Sequence, residues 1–219
     1  CVGPDGETHQ GLYDIGYLHA IPNIRIYAPT NGAELKAMLL LMEKDKGGPI
    51  AVRFPKGDAL ASDLEHNLPD ITSLKPETIG NGKDVAIVSI GVMKEAAVAL
   101  QAELFEHHGI QSTVVAIRWV RPIDIDALNT VLQDVAAFVF IEDSYRFASG
   151  ALCLLEQLSP DVKGRHIHTF AFPDAPIEHG NRGEVFAHYG LSIDSMSDFI
   201  SKHPMVHQDT TITNHAASL

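Results

Sequence analysis

The chain is most constrained by a regular alternation of apolar runs and helical stretches in its second half. Four runs have the length and apolarity of buried strands: VAIVSI (85–90), STVVAI (112–117), AAFVFI (136–141) and HIHTFAF (166–172). Helical stretches separate these runs or close the chain: 93–108, 124–132, 149–158, 183–188 and 195–203. Strands that are apolar on both faces need helices on both sides of the sheet, and this order of elements is typical of βαβ units. The sequence therefore predicts an α/β fold with a mainly parallel sheet.

A shorter α/β pattern occupies residues 1–54. It contains a predicted short helix, followed by strand candidates at 24–27 and 49–54. Between the two strands, Asn31 can cap a helix, and Glu34, three residues on, can bond back to that cap. We expect residues 1–54 to form part of a second α/β domain.

Residues 55–83 separate the two patterns. They are rich in proline and glycine and show no sustained periodicity, which predicts a linker. We therefore divide the chain into a first domain at 1–54, a linker at 55–83 and a second domain at 84–203. The polar residues 204–219 are expected to form a frayed tail.

Composition and charge exclude several classes of protein. The net charge is −12, whereas a nucleic-acid binder needs a basic face. No apolar run reaches the roughly 18 residues of a membrane-spanning helix, and the first residues do not resemble a secretory signal. The two cysteines, Cys1 and Cys153, cannot form a disulfide framework or a four-cysteine zinc site. A reducing, cytoplasmic setting is therefore expected.

The densest group of chemically versatile side chains lies in GPDGETHQG (3–11). Glycines let this backbone turn sharply, and the loop brings together Asp5 and His9. A histidine in such a loop can donate to a reacting oxygen or transfer a proton near neutral pH, and a nearby carboxylate can orient a hydroxyl. A polar surface turn would have the same composition.

A second candidate site is VRFPKG (52–57), at the end of a predicted strand. Arg53 and Lys56 stand there as cations, and ligands of open α/β sheets gather at the carboxyl ends of strands. The pattern fits the binding of an anionic group, although charged residues at a strand end are common without any such role.

Other motifs give no separate chemistry. The segment IEDSYRFASG (141–150) is interpreted as structural or as part of an interface. His179 and Glu178 lack a second histidine at helical spacing, so no metal site is predicted. The glycine-rich dinucleotide and Walker phosphate motifs do not occur, nor does the nucleophile elbow of the α/β-hydrolases.

Three segments together identify a resemblance: GPDGETHQG (3–11), YDIGYLHAIPNIRIYAPTNGAELKAML (13–39) and GPIAVRFPKG (48–57). They resemble the thiamine-diphosphate-dependent transketolase superfamily, and within it the synthases of 1-deoxy-D-xylulose 5-phosphate. By this resemblance, residues 1–54 are similar to the second half of the pyrimidine-binding domain. Residues 84–203 are similar to the transketolase C-terminal domain.

The resemblance implies a transferase that condenses pyruvate with D-glyceraldehyde 3-phosphate, with loss of carbon dioxide, to give 1-deoxy-D-xylulose 5-phosphate. That product feeds isoprenoid, thiamine and pyridoxal synthesis. In the family, the residues matching His9 and Asp5 face the substrate's oxygens, so His9 is expected to hydrogen-bond or transfer a proton, and Asp5 to orient a hydroxyl. The residue matching Lys56 is typically arginine and contacts the acceptor's phosphate. A lysine keeps the charge but loses the planar bidentate fork.

The same resemblance implies thiamine diphosphate and Mg²⁺ as cofactors and a homodimer as the assembly. The family's cofactor-activating glutamate and its diphosphate–magnesium domain would precede Cys1, and the Gly-Asp-Gly…Asn metal motif is not found here. We therefore expect a C-terminal fragment that binds no cofactor or metal by itself and is inactive alone.

Two alternatives stay open at this point. The chain could be a separately encoded C-terminal subunit of transketolase, or the β subunit of a 2-oxo acid dehydrogenase. It could also be a non-catalytic module kept for dimerisation, in which the loop residues have lost their role.

Overall fold

The structure of the chain, a computed structural model, describes residues 1–59 and 68–207. These residues form two sheets. The strands are β1 (Arg25–Tyr27), β2 (Ile50–Val52), β3 (Glu77–Ile79), β4 (Val85–Ile90), β5 (Ser112–Ile117), β6 (Trp119–Arg121), β7 (Ala137–Tyr145) and β8 (His166–Phe172). The helices are α1 (Asp14–His19), α2 (Gly32–Lys44), α3 (Met93–His108), α4 (Ile125–Leu132), α5 (Gly150–Gln157), α6 (Pro160–Lys163), α7 (Arg182–His188) and α8 (Ile193–Ser201). Within the two described ranges, no helix is both long enough and apolar enough to cross a membrane.

The larger sheet has the strand order β3-β5-β4-β7-β8. β5, β4, β7 and β8 run parallel, and β3 joins the edge antiparallel to β5. Every residue of β4 and of β5 is buried, because helices cover the two faces of the sheet. The predicted α/β fold with a mainly parallel sheet is confirmed.

The smaller sheet, with the order β2-β1-β6, joins the two halves of the chain. β1 and β2 run parallel, whereas β6, which follows β5 directly, pairs antiparallel with β1. The Tyr27 and Trp119 rings meet edge to face across this pair, with centroids 3.7 Å apart. β6 follows β5 after the single residue Arg118, with no turn signal between them, so the sequence does not predict β6 as a separate strand.

The segment predicted to be a linker, residues 55–83, is partly incorporated into the fold. β3 lies within it, and Ile71 and Leu74 pack against the Tyr27–Trp119 cluster. The Trp119 indole N–H donates to the carbonyl of Ile71 at 2.7 Å. Residues 60–67 of the linker and residues 208–219 of the expected tail lie outside the described residues.

The start of α2 differs in one detail from the expected capping pattern. The Asn31 side chain accepts from the backbone N–H of Glu34 at 2.9 Å, as predicted. The Glu34 carboxylate, however, accepts from Thr30 N at 2.9 Å and from Arg118 Nη1 at 3.0 Å. Arg118 lies between β5 and β6, so the Glu34 carboxylate pairs with a cation from the second half of the chain.

Edge strand β8 places the half-buried ring of His168 next to aromatic and basic side chains of neighbouring elements. The His168 ring lies 4.7 Å from the Phe199 ring, and Arg146 Nη2 lies 3.0 Å from His168 Nε2. Burial, the Arg146 charge and the neighbouring His166 lower the pKa of His168 to about 4. At neutral pH this imidazole is therefore uncharged.

We predict that His168 makes the fold sensitive to mild acid. The unfolded chain takes up this proton near pH 6.5 and the folded chain only near 4, so stability falls as pH drops between those values. Partial exposure of the ring limits the loss to about 1 kcal/mol between about pH 7 and about pH 5. The unfolding free energy, measured with urea at both pH values, should change less between the two pH values for His168→Gln than for the wild type.

The exposed His107 of α3 provides the control, and His107→Gln should keep the wild-type difference. An identical pH dependence in the wild type and in His168→Gln would contradict the prediction.

Candidate functional site

A cavity of about 430 Å³ opens at the carboxyl ends of strands from both sheets. Ala28 follows β1, Arg53 and Lys56 follow β2, Gly91 follows β4, and Asp143 lies near the end of β7. The carboxyl ends of strands are where open α/β sheets bind ligands. The cavity therefore stands at the position where a ligand is expected in this kind of fold.

One part of the cavity wall comes from the two ends of the first loop, Cys1–Val2 and Gln10–Gly11, and Gln10 holds this loop in place. Its buried side-chain amide accepts from Gly3 N at 2.9 Å and donates to the carbonyls of Gly3 and Glu178 at 3.2 and 3.1 Å. Gly3 has a positive φ of 89°, and a Cβ there would lie 2.9 Å from the carbonyl oxygen of Gly180. The loop thus needs glycine at this point to pack against residues 177–180.

The structure brings together two of the three site residues that the sequence singled out. Lys56 Nζ donates to both carboxylate oxygens of Asp5, at 2.6 and 2.7 Å. The pair lies at the mouth of the cavity and is largely exposed, so it contributes only about 0–1 kcal/mol to stability. An anionic ligand can compete for the Lys56 ammonium at little cost.

His9, the third predicted residue, does not contact the other two. It ends a short 3₁₀ turn, Glu7–His9, and its Nδ1 lies 2.8 Å from Thr8 Oγ1. The imidazole is exposed at the tip of the loop, and the residues that line the cavity include Lys56 but neither His9 nor Asp5.

Arg53 lies at the centre of a buried ion network that the sequence did not reveal. Its Nε donates to Asp14 at 2.7 Å and its Nη1 to Asp143 at 2.8 Å. Arg182 Nη2 reaches the second oxygen of Asp143 at 3.3 Å. The Arg53 side chain is 11% exposed and that of Asp143 is 3% exposed. The sequence marked Arg53 as a cation at a strand end, but its partners are 39 and 90 residues away.

The charges in this network hold Asp143 in its ionised form. Burial alone would raise the pKa of its carboxyl, but the charges of Arg53 and Arg182, with the hydrogen bond from Arg53, hold that pKa well below its usual range. Burial by itself would lower the pKa of the Arg53 guanidinium. The negative charges of Asp143 and Asp14, and their hydrogen bonds with Arg53, outweigh this effect and raise that pKa.

The neighbouring acid, Glu142, has a different partner set. Its buried carboxylate accepts from Ser144 Oγ at 2.6 Å and from the backbone N–H groups of Gly150 and Ala151 at 2.9 and 3.1 Å. These two N–H groups open helix α5, so Glu142 caps that helix. Burial raises the pKa of this carboxyl.

The carboxylates at the cavity do not fit a magnesium–diphosphate site. Asp14 and Asp143 are both paired with Arg53, and Asp5 is paired with Lys56. Across residues 1–59 and 68–207 no group of three or more His, Cys, Asp or Glu side chains is placed to hold a metal ion. No step that needs the metal or the diphosphate is therefore assigned to these residues.

Comparison with protein families places this chain in a known class. Residues 75–196 match the sequence model described as the transketolase C-terminal domain, and residues 1–60 match that of the transketolase pyrimidine binding domain. The chain therefore belongs to the transketolase family. Two solved structures share the fold: a split-gene transketolase described as an inactive β4 tetramer, and a transketolase mutant from Pichia stipitis described as a complex with xylulose 5-phosphate.

The fold similarity to these structures is extensive although the sequences have diverged. The split-gene transketolase matches with a TM-score of 0.73 and 23% identity, over 92% of this chain and 64% of its own. The Pichia stipitis enzyme matches with a TM-score of 0.66 and 20% identity, over 91% of this chain and 28% of its own.

Among curated proteins the chain is similar to 1-deoxy-D-xylulose-5-phosphate synthases. The synthase of Clostridium acetobutylicum is 38% identical over 196 residues, which are 89% of this chain and 31% of the relative. That of Caldanaerobacter subterraneus is 35% identical over 91% of this chain and 32% of the relative. The synthase of Gloeothece citriformis is 34% identical over 92% and 32%. The chain thus spans about a third of the length of these relatives.

We predict that Asp143→Asn strongly destabilises the fold. The change leaves the buried Arg53 with one carboxylate partner, and breaking such a pair costs about 3 kcal/mol of unfolding free energy at neutral pH. Because the pKa of Asp143 is lowered in the folded chain, this contribution is present above about pH 4 and lost as pH falls further. The difference in unfolding free energy between the wild type and the variant, measured with urea, should therefore become smaller as the pH falls below about 4.

Asp45→Asn serves as the matched control, because Asp45 pairs with Arg25 at a more exposed position. Its effect on stability should be clearly smaller. Equal stability of the wild type and Asp143→Asn at neutral pH would show that the network is not needed.

Proposed function

We propose that this chain forms the acceptor-binding side of a 1-deoxy-D-xylulose-5-phosphate synthase. The complete enzyme would condense pyruvate with D-glyceraldehyde 3-phosphate, using thiamine diphosphate and Mg²⁺, with loss of carbon dioxide. The identities of 34–38% to curated synthases, against 20–23% to the solved transketolases, support this choice within the family.

The observation that carries the proposal is the exposed ammonium of Lys56 at the mouth of a cavity of about 430 Å³. A phosphate needs a cation that can exchange partners, and the weak pair with Asp5 allows that exchange. Arg53 lines the same cavity but is fully engaged by two carboxylates, so it is not free to bind an anion.

In this proposal each of the three site residues has a separate role. Lys56 binds the phosphate of the aldehyde, and Asp5, released from Lys56, orients a hydroxyl of the same substrate. His9 hydrogen-bonds or transfers a proton at the substrate's hydroxyl or carbonyl. Because His9 stands at the tip of the loop, we infer that its target is reached from the open side of the cavity.

The proposal also covers the cofactors, the assembly and the domain division of the enzyme. Thiamine diphosphate supplies the electron sink for decarboxylation when bound, and residues outside this chain would hold it with Mg²⁺. We propose a homodimer in the cytoplasm and expect the 219-residue chain alone to be inactive. The limits 1–54, 55–83 and 84–203 remain our proposed division into partial domain, linker and C-terminal domain.

A second candidate is a separately encoded C-terminal subunit of transketolase. The fold similarity to a split-gene transketolase favours it. The two candidates differ in the size of the gene product and in the donor: a transketolase subunit would transfer a ketol unit from a ketose and would not release carbon dioxide from pyruvate. Measuring carbon dioxide release from labelled pyruvate by the complete enzyme separates them.

We predict that Lys56→Ala in the complete enzyme raises the KM for D-glyceraldehyde 3-phosphate. Loss of one charge-assisted hydrogen bond corresponds to a change of about 10-fold to 100-fold. The KM for pyruvate should stay near the wild-type value, and steady-state kinetics with each substrate varied in turn provides the measurement.

Lys83→Ala is the matched control, because Lys83 forms a similarly exposed ion pair, with Asp134, away from the cavity. Its kinetics should equal those of the wild type. An unchanged KM for the phosphorylated aldehyde in Lys56→Ala would refute the phosphate role.

We predict that His9→Ala lowers kcat more than it weakens substrate binding. General acid–base catalysis typically contributes about 100-fold or more to the rate, whereas an exposed imidazole adds little to affinity. The expected result is a fall of about 100-fold in kcat with a KM for pyruvate within a few-fold of the wild type. Wild-type turnover in His9→Ala would exclude His9 from the chemistry.

A further inference from the structure

Lys56 is carried by a short exposed stretch that begins one residue after the end of β2. Phe54 is 60% exposed, and Lys56 itself extends into solvent. Arg53, the residue that precedes this stretch, is largely buried, and its backbone N–H donates to the carbonyl of Tyr27 at 2.9 Å. The position of Lys56 therefore depends on how firmly the chain is held at Arg53.

The Arg53 side chain is held by both halves of the protein at once. Asp14 of α1 accepts from Nε and Nη2, at 2.7 and 3.4 Å, and Asp143 of β7 accepts from Nη1 at 2.8 Å. The carbonyl oxygen of Asp143 lies a further 3.5 Å from Nη2. A planar guanidinium can bridge two carboxylates in fixed directions, and a lysine ammonium cannot reproduce this geometry.

We propose that Arg53 and Asp143 are positioning residues for Lys56. Through the carboxylate of Asp143, the transketolase C-terminal domain fixes the strand end that presents the Lys56 ammonium at the mouth of the cavity. This role gives the C-terminal domain an indirect part in acceptor binding, in which none of its residues needs to touch the phosphate. The inference rests on the proposed function, since it assumes that Lys56 binds that phosphate.

A comparison of acceptors with and without a phosphate distinguishes a positioning role of Arg53 and Asp143 from structural support alone. A displaced Lys56 weakens the binding of an acceptor that carries a phosphate, and it leaves an acceptor without phosphate unaffected. A loss of packing would instead impair both acceptors alike.

The test uses the complete enzyme with Arg53→Lys and, as a second variant, Asp143→Asn. Steady-state kinetics with D-glyceraldehyde 3-phosphate and with unphosphorylated D-glyceraldehyde should show a rise in KM of about 10-fold for the phosphorylated acceptor only. Combined with Lys56→Ala, neither variant should raise that KM further, because each acts through Lys56. Thermal unfolding identifies the variants that are folded at the assay temperature, and the kinetic comparison uses those.

Arg25→Lys provides the matched control, because Arg25 also bridges two oxygens of a carboxylate, that of Asp45, but away from the cavity. Its acceptor KM values should equal those of the wild type. Equal losses for both acceptors, or an added loss in the Lys56→Ala background, would overturn the positioning role. An unchanged KM in Lys56→Ala alone would instead overturn the proposed function, so the two failures are distinguishable.

Discussion

The arrangement of the cavity depends on the buried ion pair between Arg53 and Asp143. Taking two charges out of water costs several kcal/mol each, and only full hydrogen bonding offsets that cost. Asp14 supplies the second partner of Arg53, and Arg182 supplies a further donor to Asp143. Because each charge would be stranded without the others, these contacts fix the strand ends of both sheets relative to one another.

The small sheet makes the same connection through the backbone. β6, which belongs to the C-terminal half, pairs with β1 and brings Trp119 against Tyr27. The backbone pairing and the ion network lie on the same side of the molecule, where β1 and β2 end. The two halves of the chain thus share a sheet, a cluster of aromatic side chains and a set of buried charges, so neither half packs independently.

The charged groups divide into a buried set and an exposed set with different consequences. Arg53 and Asp143 are fully engaged, which makes them good supports and poor ligands for a substrate. Lys56 and Asp5 form an exposed pair that water and ions can replace at little cost. A binding site needs both kinds, because an exchangeable charge is useful only when the backbone that carries it is held in place.

The sequence by itself determined the α/β class, the large parallel sheet and its helices, because apolar runs and helical periodicity are local signals that burial on both faces requires. It also marked Asp5 and Lys56, whose residue types and turn glycines can be seen within short segments. Only the tertiary structure decided that those two residues meet, that β6 completes the first sheet, and that Arg53 is buried between Asp14 and Asp143. Those contacts join residues 39 to 95 positions apart, and a pairing over such distances leaves no periodic trace in the chain.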